Sequence, residues 1–401
     1  MSEANPLCLF WEGFEPAAWH DAADGSLHLR LEARADKPSR CGRCHRPAST
    51  VHDQLRRWVR ECDLIDRRLW LDVPVCRLRC GYCGICTEHV PWLAGRRAMT
   101  QALVTRVKAF VRQWPIRQVA RMLELHWHTV KAIDVARLAR ELPIPDRHGL
   151  RRLMMDEFAL HKGHRYATVV ACADTRQVLW VGEGRSRTAI RPSFEWLGSA
   201  CHQIEAVAMD MNTAFDLEVA AHCPNAAVVY DGFHVIAKFG REVIDRVRVD
   251  QANALRGHAH ARRTVKRGRW LLLRNRERLS TRQAVKLDEL LAANTPLMQV
   301  YLLKTQLKEL WRAPSIEQAR QRWREWHAMA LETGLRPVLR FARLLERYVH
   351  GIVASAQFRL NTSVLEGMNN RIKVIKRLAY GYRDSRYFFL KIRDAFPGNV
   401  R

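Results

Sequence analysis

The spacing of hydrophobic and polar positions changes several times along this chain, and each change marks a different kind of element. Trp58-Val59-Arg60-Glu61-Cys62-Asp63-Leu64 and Arg68-Leu69-Trp70-Leu71-Asp72-Val73 come close to alternation, which predicts short strands. From about residue 98 to 145 the apolar spacing is three or four. Leu103, Val107, Phe110 and Val111 form one run, and Ile116, Val119, Ala120 and Leu123 a second. After a break at Leu125-His126-Trp127-His128, a third run continues through Val130, Ile133, Val135 and Leu138. Two short helices across a tight turn predict a helix-turn-helix whose second helix, from about Thr129, would enter a groove. An ordinary helical hairpin fits the same spacing. Pro143 and Pro145 mark a linker.

Beyond the linker, strand and helix patterns interleave. Leu153–Met155, Tyr166–Cys172 and Val178–Val181 read as three strands, with a turn at Ala173-Asp174-Thr175-Arg176 and a stop at Gly182-Glu183-Gly184. A helical segment with Phe194, Leu197 and Ala200 follows. Then come a strand Ala206–Met209, a helix from about Thr213 to His222, and a strand Ala226–Tyr230. Three strands, helix, strand, helix, strand is the order of a ribonuclease-H-like fold. From about 240 to 355 the pattern is helical and heavily charged, as expected of an insertion. The predicted class is multidomain α+β: a small β-rich metal-binding domain over 1–95, a helical DNA-binding domain over 96–148, and a ribonuclease-H-like α/β core over 149–401 carrying the insertion.

Charge narrows the partner. The 401 residues hold 67 Lys and Arg against 41 Asp and Glu, a formal net charge of +26, with 48% hydrophobic residues. Such an excess predicts attraction to a polyanion. No apolar stretch approaches the roughly 18 residues that a membrane span requires, and the acidic, Trp-containing start is unlike a transit peptide. Nucleic acid is the expected partner, and no membrane is.

Seven of the eleven cysteines crowd between Cys41 and Cys86. Cys41-Gly42-Arg43-Cys44 and Cys80-Gly81-Tyr82-Cys83 each set two thiols on a turn, the spacing of a closed structural zinc site. The 35 residues between the pairs exceed the common zinc-ribbon spacing, but an intervening hairpin would bring the turns together. Cys86 offers a rival register with Cys83, and His45 and Cys76 are substitutes. Reduced, buried cysteines are the plainer reading.

Carboxylates supply the remaining chemistry. Asp156 follows the apolar run Leu153-Met154-Met155, Asp210 follows Ala206–Met209, and Glu366 opens a basic helical stretch. Two strand-end aspartates and a helical glutamate can hold two Mg²⁺ ions for phosphodiester chemistry. Glu157 competes with Asp156, and Asp231 with Asp210. Asp231-Gly232-Phe233-His234 reads equally as a helix N-cap or as a pair that touches substrate. After Glu366, the residues Arg371, Lys373, Lys376 and Arg377, then Tyr380 and Arg383, make a solvated basic face or a surface for phosphate backbone.

The residues taken together resemble the DDE transposases of bacterial insertion sequences, most closely the ISL-three type. The resemblance spans nearly the whole chain. It is carried by Cys80-Gly81-Tyr82-Cys83-Gly84 with Glu88-His89-Val90-Pro91-Trp92, by Met155-Asp156-Glu157, and by Asp231-Gly232-Phe233-His234. Its most specific part is Leu365-Glu366-Gly367-Met368-Asn369-Asn370 running into Ile375-Lys376-Arg377 and Tyr380-Gly381-Tyr382-Arg383. It implies Asp156, Asp210 and Glu366 as a catalytic triad with two Mg²⁺ ions, and Asp231 with His234 as an accessory pair. It further implies one structural zinc on Cys41, Cys44, Cys80 and Cys83, a homodimer or larger assembly on the double-stranded DNA of the element ends and target, and a cytoplasmic place at the bacterial nucleoid. The extra Cys86 departs from the pattern. A non-catalytic DNA-binding regulator and a nuclease without strand transfer are the alternatives.

Overall fold

A computed structural model describes residues 10–95, 97–161, 163, 165–360 and 363–398. The chain divides into two compact units, residues 1–141 with Lys376–Gly381, and Leu142–Ile375 with Tyr382–Arg401.

In the first unit, β1 (Phe14–Asp21), β2 (Leu27–Ala33), β3 (Val51–Arg60), β4 (Leu69–Cys80) and β5 (Gly84–Thr87) form one sheet in the order β1-β2-β4-β3, with β5 on β4. The alternation around Trp58 and Trp70 thus belongs to a long antiparallel hairpin, Arg60 opposite Trp70 and Val51 opposite Leu78. Leu71, Val73 and Val75 on β4 and Val59 on β3 pack with Phe14 and Leu31 into a core. Three helices follow: α1 (Gln101–Gln113), α2 (Ile116–Met122) and α3 (Trp127–Glu141). Thr100 caps α1, its hydroxyl accepting from the Leu103 N–H at 3.2 Å. Val107, Val119, Val130 and Ile133 bury their shared apolar face. The turn between α2 and α3 passes through Glu124 in the left-handed region, φ 48°. The third helix begins at Trp127, two residues before the expected start.

In the second unit, β6 (Arg152–His161), β7 (Arg165–Cys172), β8 (Val178–Glu183), β9 (Ala206–Met209) and β10 (Ala227–Tyr230) form a sheet ordered β10-β9-β6-β7-β8. The first three strands in sequence are an antiparallel meander, and β9 and β10 add parallel to β6. Helices α4 (Arg187–Leu197) and α5 (Thr213–His222) connect the later strands, and α6 (Gly232–Phe239) leaves β10. The insertion is wholly helical among the described elements: α7 (Asp245–Ala254), α8 (Ala259–Arg267), α9 (Arg269–Leu273), α10 (Thr281–Ala292), α11 (Thr295–Glu309), α12 (Ile316–Glu332), α13 (Arg336–Glu346) and α14 (Val349–Ala354). The chain then returns through α15 (Ser363–Leu378) and α16 (Ser385–Ala395).

Strand alternation sorts the sheet into two cores. Leu153, Met155, Val207, Met209 and Tyr230 face one side, packing with α4, α5 and the insertion. Met154, Phe158 and Ala208 face the other, packing with Leu365, Met368 and Ile372 of α15 and Phe388 of α16. Each of these three α15 side chains is buried, contributing about 1.5–3 kcal/mol, so apolar contact dominates the docking of this helix on the sheet.

One polar cluster joins α4 to α5. The Glu218 carboxylate is fully enclosed and accepts from Arg187 Nε at 2.8 Å and from Arg191 Nη2 at 3.1 Å, with His222 Nε2 at 3.3 Å. Arg191, then Arg187, hold its pKa down at about 2. Both guanidiniums keep nearly half their exposure, so the pairs contribute about 1–2 kcal/mol in all. Replacing Glu218 by Gln is expected to lower the melting temperature of this unit by about 2–8 °C at pH 7. A lowered carboxylate pKa stabilises the fold above the unfolded value near 4.5 and ceases to do so as pH falls toward 2. The gap between wild type and variant should therefore be constant above about pH 5 and narrow below it, which thermal melts across pH will measure.

Candidate active site

The parallel register fixes where the aspartates fall. Met154 lies opposite Ala208 and Met209 opposite Tyr230. Two residues past the first pair and one past the second, Asp156, Asp210 and Asp231 stand abreast on three neighbouring strands. Each follows a residue of the Met155, Met209, Tyr230 core, so all three turn to the face that α15 covers. β6 does not end at Asp156 but runs on to His161, so Asp156 is a mid-strand residue where the parallel neighbours stop. Strand ends of this kind, where the sheet's parallel part opens, are where open α/β sheets bind ligands.

Each side chain has a defined setting. Asp156 is only 7% exposed. Its Oδ1 accepts from the Glu157 N–H at 2.7 Å and its Oδ2 from Asn369 Nδ2 at 2.5 Å. Burial, and next the Asp210 carboxylate, push its pKa up to about 7. Asp231 caps α6, Oδ1 accepting from the Phe233 N–H at 2.8 Å, while Oδ2 lies 3.6 Å from His234 Nδ1. The same nitrogen is hydrogen-bonded to Asp210 Oδ1. That bond, against the cost of burial, raises His234 to about 9, so it is cationic at neutral pH. Asp231 therefore caps the helix, while the hydrogen bond of His234 goes to Asp210.

Among the described residues, Asp210, Asp231 and His234 offer ligand atoms within 4.8 Å of one another. Asp156 and Glu366 do not belong to that tight group. Asp156, Glu157 and Asp210 line one cleft of about 400 Å³ with Arg185, Asn212 and Thr213. Arg185 Nη1 donates to Glu157 at 2.7 Å, which ties up the competing carboxylate. Glu366, in the first turn of α15, lines a second cavity of about 1230 Å³ with Asp231 and Phe233. The donor set is one of crowded carboxylate oxygens, the kind hard divalent cations prefer. The raised pKa of Asp156 shows that the crowding opposes ionisation when nothing else neutralises it.

The larger cavity is basic and aromatic. Arg241, Arg274, Arg278, Lys308 and Arg312 line it beside Trp270 and Trp311. The four tryptophans of the insertion separate by setting. Trp326 is fully buried, its Nε1 donating to the Leu303 carbonyl at 2.9 Å, and Trp323 stacks on it at 5.6 Å. Trp311 donates to the Tyr230 carbonyl at 2.9 Å and closes over Gly232, where an added Cβ would sit 2.8 Å from the indole. Trp270 alone presents a free surface, 64% exposed. Lys304, buried and pushed down to about 7 by desolvation, donates to the Leu272 and Arg274 carbonyls and so satisfies the end of the short helix that carries Trp270. Nothing in the sequence pattern singled out Lys304.

The predicted cysteine cluster also forms. The β3–β4 hairpin brings Cys41 and Cys44 to Cys80 and Cys83, their sulfurs within 4.8 Å of one another. A tetrahedral zinc site with Zn–S of ~2.3 Å needs sulfurs ~3.8 Å apart, and Cys44 and Cys80 lie at 3.7 Å. Gly42 is required, since a Cβ there would meet the Thr87 carbonyl at 2.3 Å. Backbone N–H groups of Cys44 and Arg43 pull Cys41 down to about 5, while Cys44 opposes ionisation of Cys83. Cys86 stands 3.1 Å from Cys41 but outside the group of four. Glu88 accepts from the Cys76 N–H at 2.7 Å and pairs with Lys37, a structural tie.

On α15, Arg371, Lys373 and Arg377 are exposed, and Lys376 is half-buried. Tyr380 is 96% exposed, and Arg383 is exposed beyond it. No described helix is long and apolar enough to cross a membrane.

Comparison with known proteins places this arrangement. Residues 153–392 match a family model described as transposase, of the ISL3 type. The chain is 49% identical over 395 residues to the transposase for insertion sequence element IS1001 of Bordetella parapertussis, covering 98% of this chain and 97% of that protein. It is 29% identical over 394 residues to the transposase for insertion sequence element IS1557 of Mycobacterium tuberculosis, covering 90% and 87%. Among solved structures, a Drosophila P element transposase strand transfer complex aligns at 10% identity and a TM-score of 0.38, over 75% of this chain and 92% of that one. The chain belongs to the ISL3-type transposases of bacterial insertion sequences.

Proposed function

We propose that this transposase binds the terminal inverted repeats of its own element and carries out divalent-metal-dependent DNA cleavage and strand transfer. The observation that supports the chemistry best is the row of Asp156, Asp210 and Asp231 at neighbouring strand ends, with Glu366 beside Asp231 in the larger cavity. The sheet order is that expected of a ribonuclease-H-like core. Asp156, Asp210 and Glu366 are assigned as the ligands of two Mg²⁺ ions. Bound cations would supply positive charge to the scissile phosphate and its attacking and leaving oxygens. His234 orients Asp210 and Asp231 and brings one protein cation to the phosphate. The excess of positive charge draws DNA in by counterion release. Arg371, Lys373, Lys376, Arg377, Tyr380 and Arg383 are assigned to the DNA backbone. The second and third helices act as a helix-turn-helix, and Cys41, Cys44, Cys80 and Cys83 hold one structural zinc. Because an element has two ends to join, a dimer or larger assembly on DNA is expected.

Asp156→Asn and Glu366→Gln are expected to lower Mg²⁺-dependent cleavage of element-end DNA by at least about 100-fold while leaving DNA affinity within about twofold. Cleavage at the wild-type rate would remove both residues from the site, and cleavage without joined product would favour a nuclease. The zinc assignment is checked by elemental analysis: Cys41→Ser with Cys80→Ser should lose the metal and unfold the first unit, and zinc retained at one per chain would refute it. Trp270, exposed beside the basic cavity, is assigned to stack a base displaced near the cut. Trp270→Ala should then weaken single-stranded DNA binding by about 1–3 kcal/mol, read by fluorescence anisotropy, whereas unchanged affinity would leave the indole a surface residue.

A further inference from the structure

α15 lies on the sheet face that carries the aspartates. Leu365, Met368 and Ile372 recur at three and four residues and pack beside Met154 and Phe158, which flank Asp156 on the same face of β6. This docking sets Asn369 over Asp156, and Asn369 follows Glu366 by three residues, one turn along the helix. Its Nδ2 donates to Asp156 Oδ2 at 2.5 Å, while Oδ1 of Asp156 is held by the Glu157 N–H. Both oxygens of the carboxylate are thus fixed from opposite sides. The Asn369 Oδ1 is buried and has no hydrogen-bond partner among the described residues, a cost that a purely structural residue would avoid.

We infer that Asn369 is the positioning residue of the site: its amide clamps Asp156 in the orientation used for catalysis and ties the helix carrying Glu366 to the strand carrying Asp156. This rests on the metal-dependent cleavage proposed above. The clamp is not what docks the helix. Three buried apolar side chains, Leu365, Met368 and Ile372, outweigh one hydrogen bond in holding the helix. Removing the amide leaves the helix in place and frees the carboxylate to turn. Outer partners that orient ligating groups typically change affinity or rate by about 10–100-fold.

The test uses the full chain with Asn369→Leu, which nearly keeps the shape without the donor, and Asn369→Ala, which removes the amide without adding bulk. For Asn369→Leu, turnover on element-end DNA should fall about 10–100-fold. The Mg²⁺ concentration at half-maximal thermal stabilisation, measured without DNA, should rise by a similar factor. DNA affinity and the metal-free melting temperature should stay near wild type. Asn369→Ala should show the same pattern. Wild-type turnover and Mg²⁺ midpoint in both variants would overturn the inference, as would a parallel fall in stability and DNA affinity. If wild type itself shows no metal-dependent cleavage, the proposed function fails, a result distinct from these.

Discussion

The register between parallel strands is the constraint on which the site depends. With Met154 opposite Ala208 and Met209 opposite Tyr230, Asp156, Asp210 and Asp231 stand at one level across three strands. A slip of one residue in β6 would turn Asp156 to the other face and leave Met155 in its place. The two hydrophobic cores prevent that slip, because each takes alternate residues of the same strands. Packing energy therefore guards carboxylate geometry, although no aspartate contributes to packing.

Crowded carboxylates carry a cost, and the structure shows how it is distributed. His234 places a cation against Asp210 and near Asp231. Arg185 engages Glu157. Among the described residues Asp156 has no arginine or lysine paired to it, and burial, then the Asp210 carboxylate, raise its pKa to about 7. Neutralisation within the protein is weakest at Asp156, where a hard cation would be most strongly drawn.

Much of this was legible in the sequence, for identifiable reasons. Strands β9 and β10 are four apolar residues each, bounded by Asp210 and Asp231, and α5 carries its cap at Asn212. The cysteine pairs announced themselves through Gly42 and their spacing. The helical insertion followed from its period and charge. Other features were hidden. β1 contains Pro16 and a register shift between Pro16 and Ala18, and its residues are mostly exposed, so no clean alternation appears. The end of β6 was misplaced because Asp156 interrupts an apolar run that resumes at Phe158. Strand order favoured Asp210 over Asp231 in the sequence, but both end four-residue strands at the same level, so the margin between them was narrow. Asn369 was visible only as one of two asparagines after Glu366, because its partner lies 213 residues away.

The central claim is that Asp156 and Asp210, abreast on neighbouring strands, hold the catalytic cation together. Anomalous diffraction from crystals of the protein on element-end DNA, grown with Mn²⁺, tests it directly. The account predicts a manganese peak bridged by carboxylate oxygens of Asp156 and Asp210, with Glu366 on a second peak nearby. A single peak held by Asp210, Asp231 and His234, with Asp156 bare of metal, would contradict it.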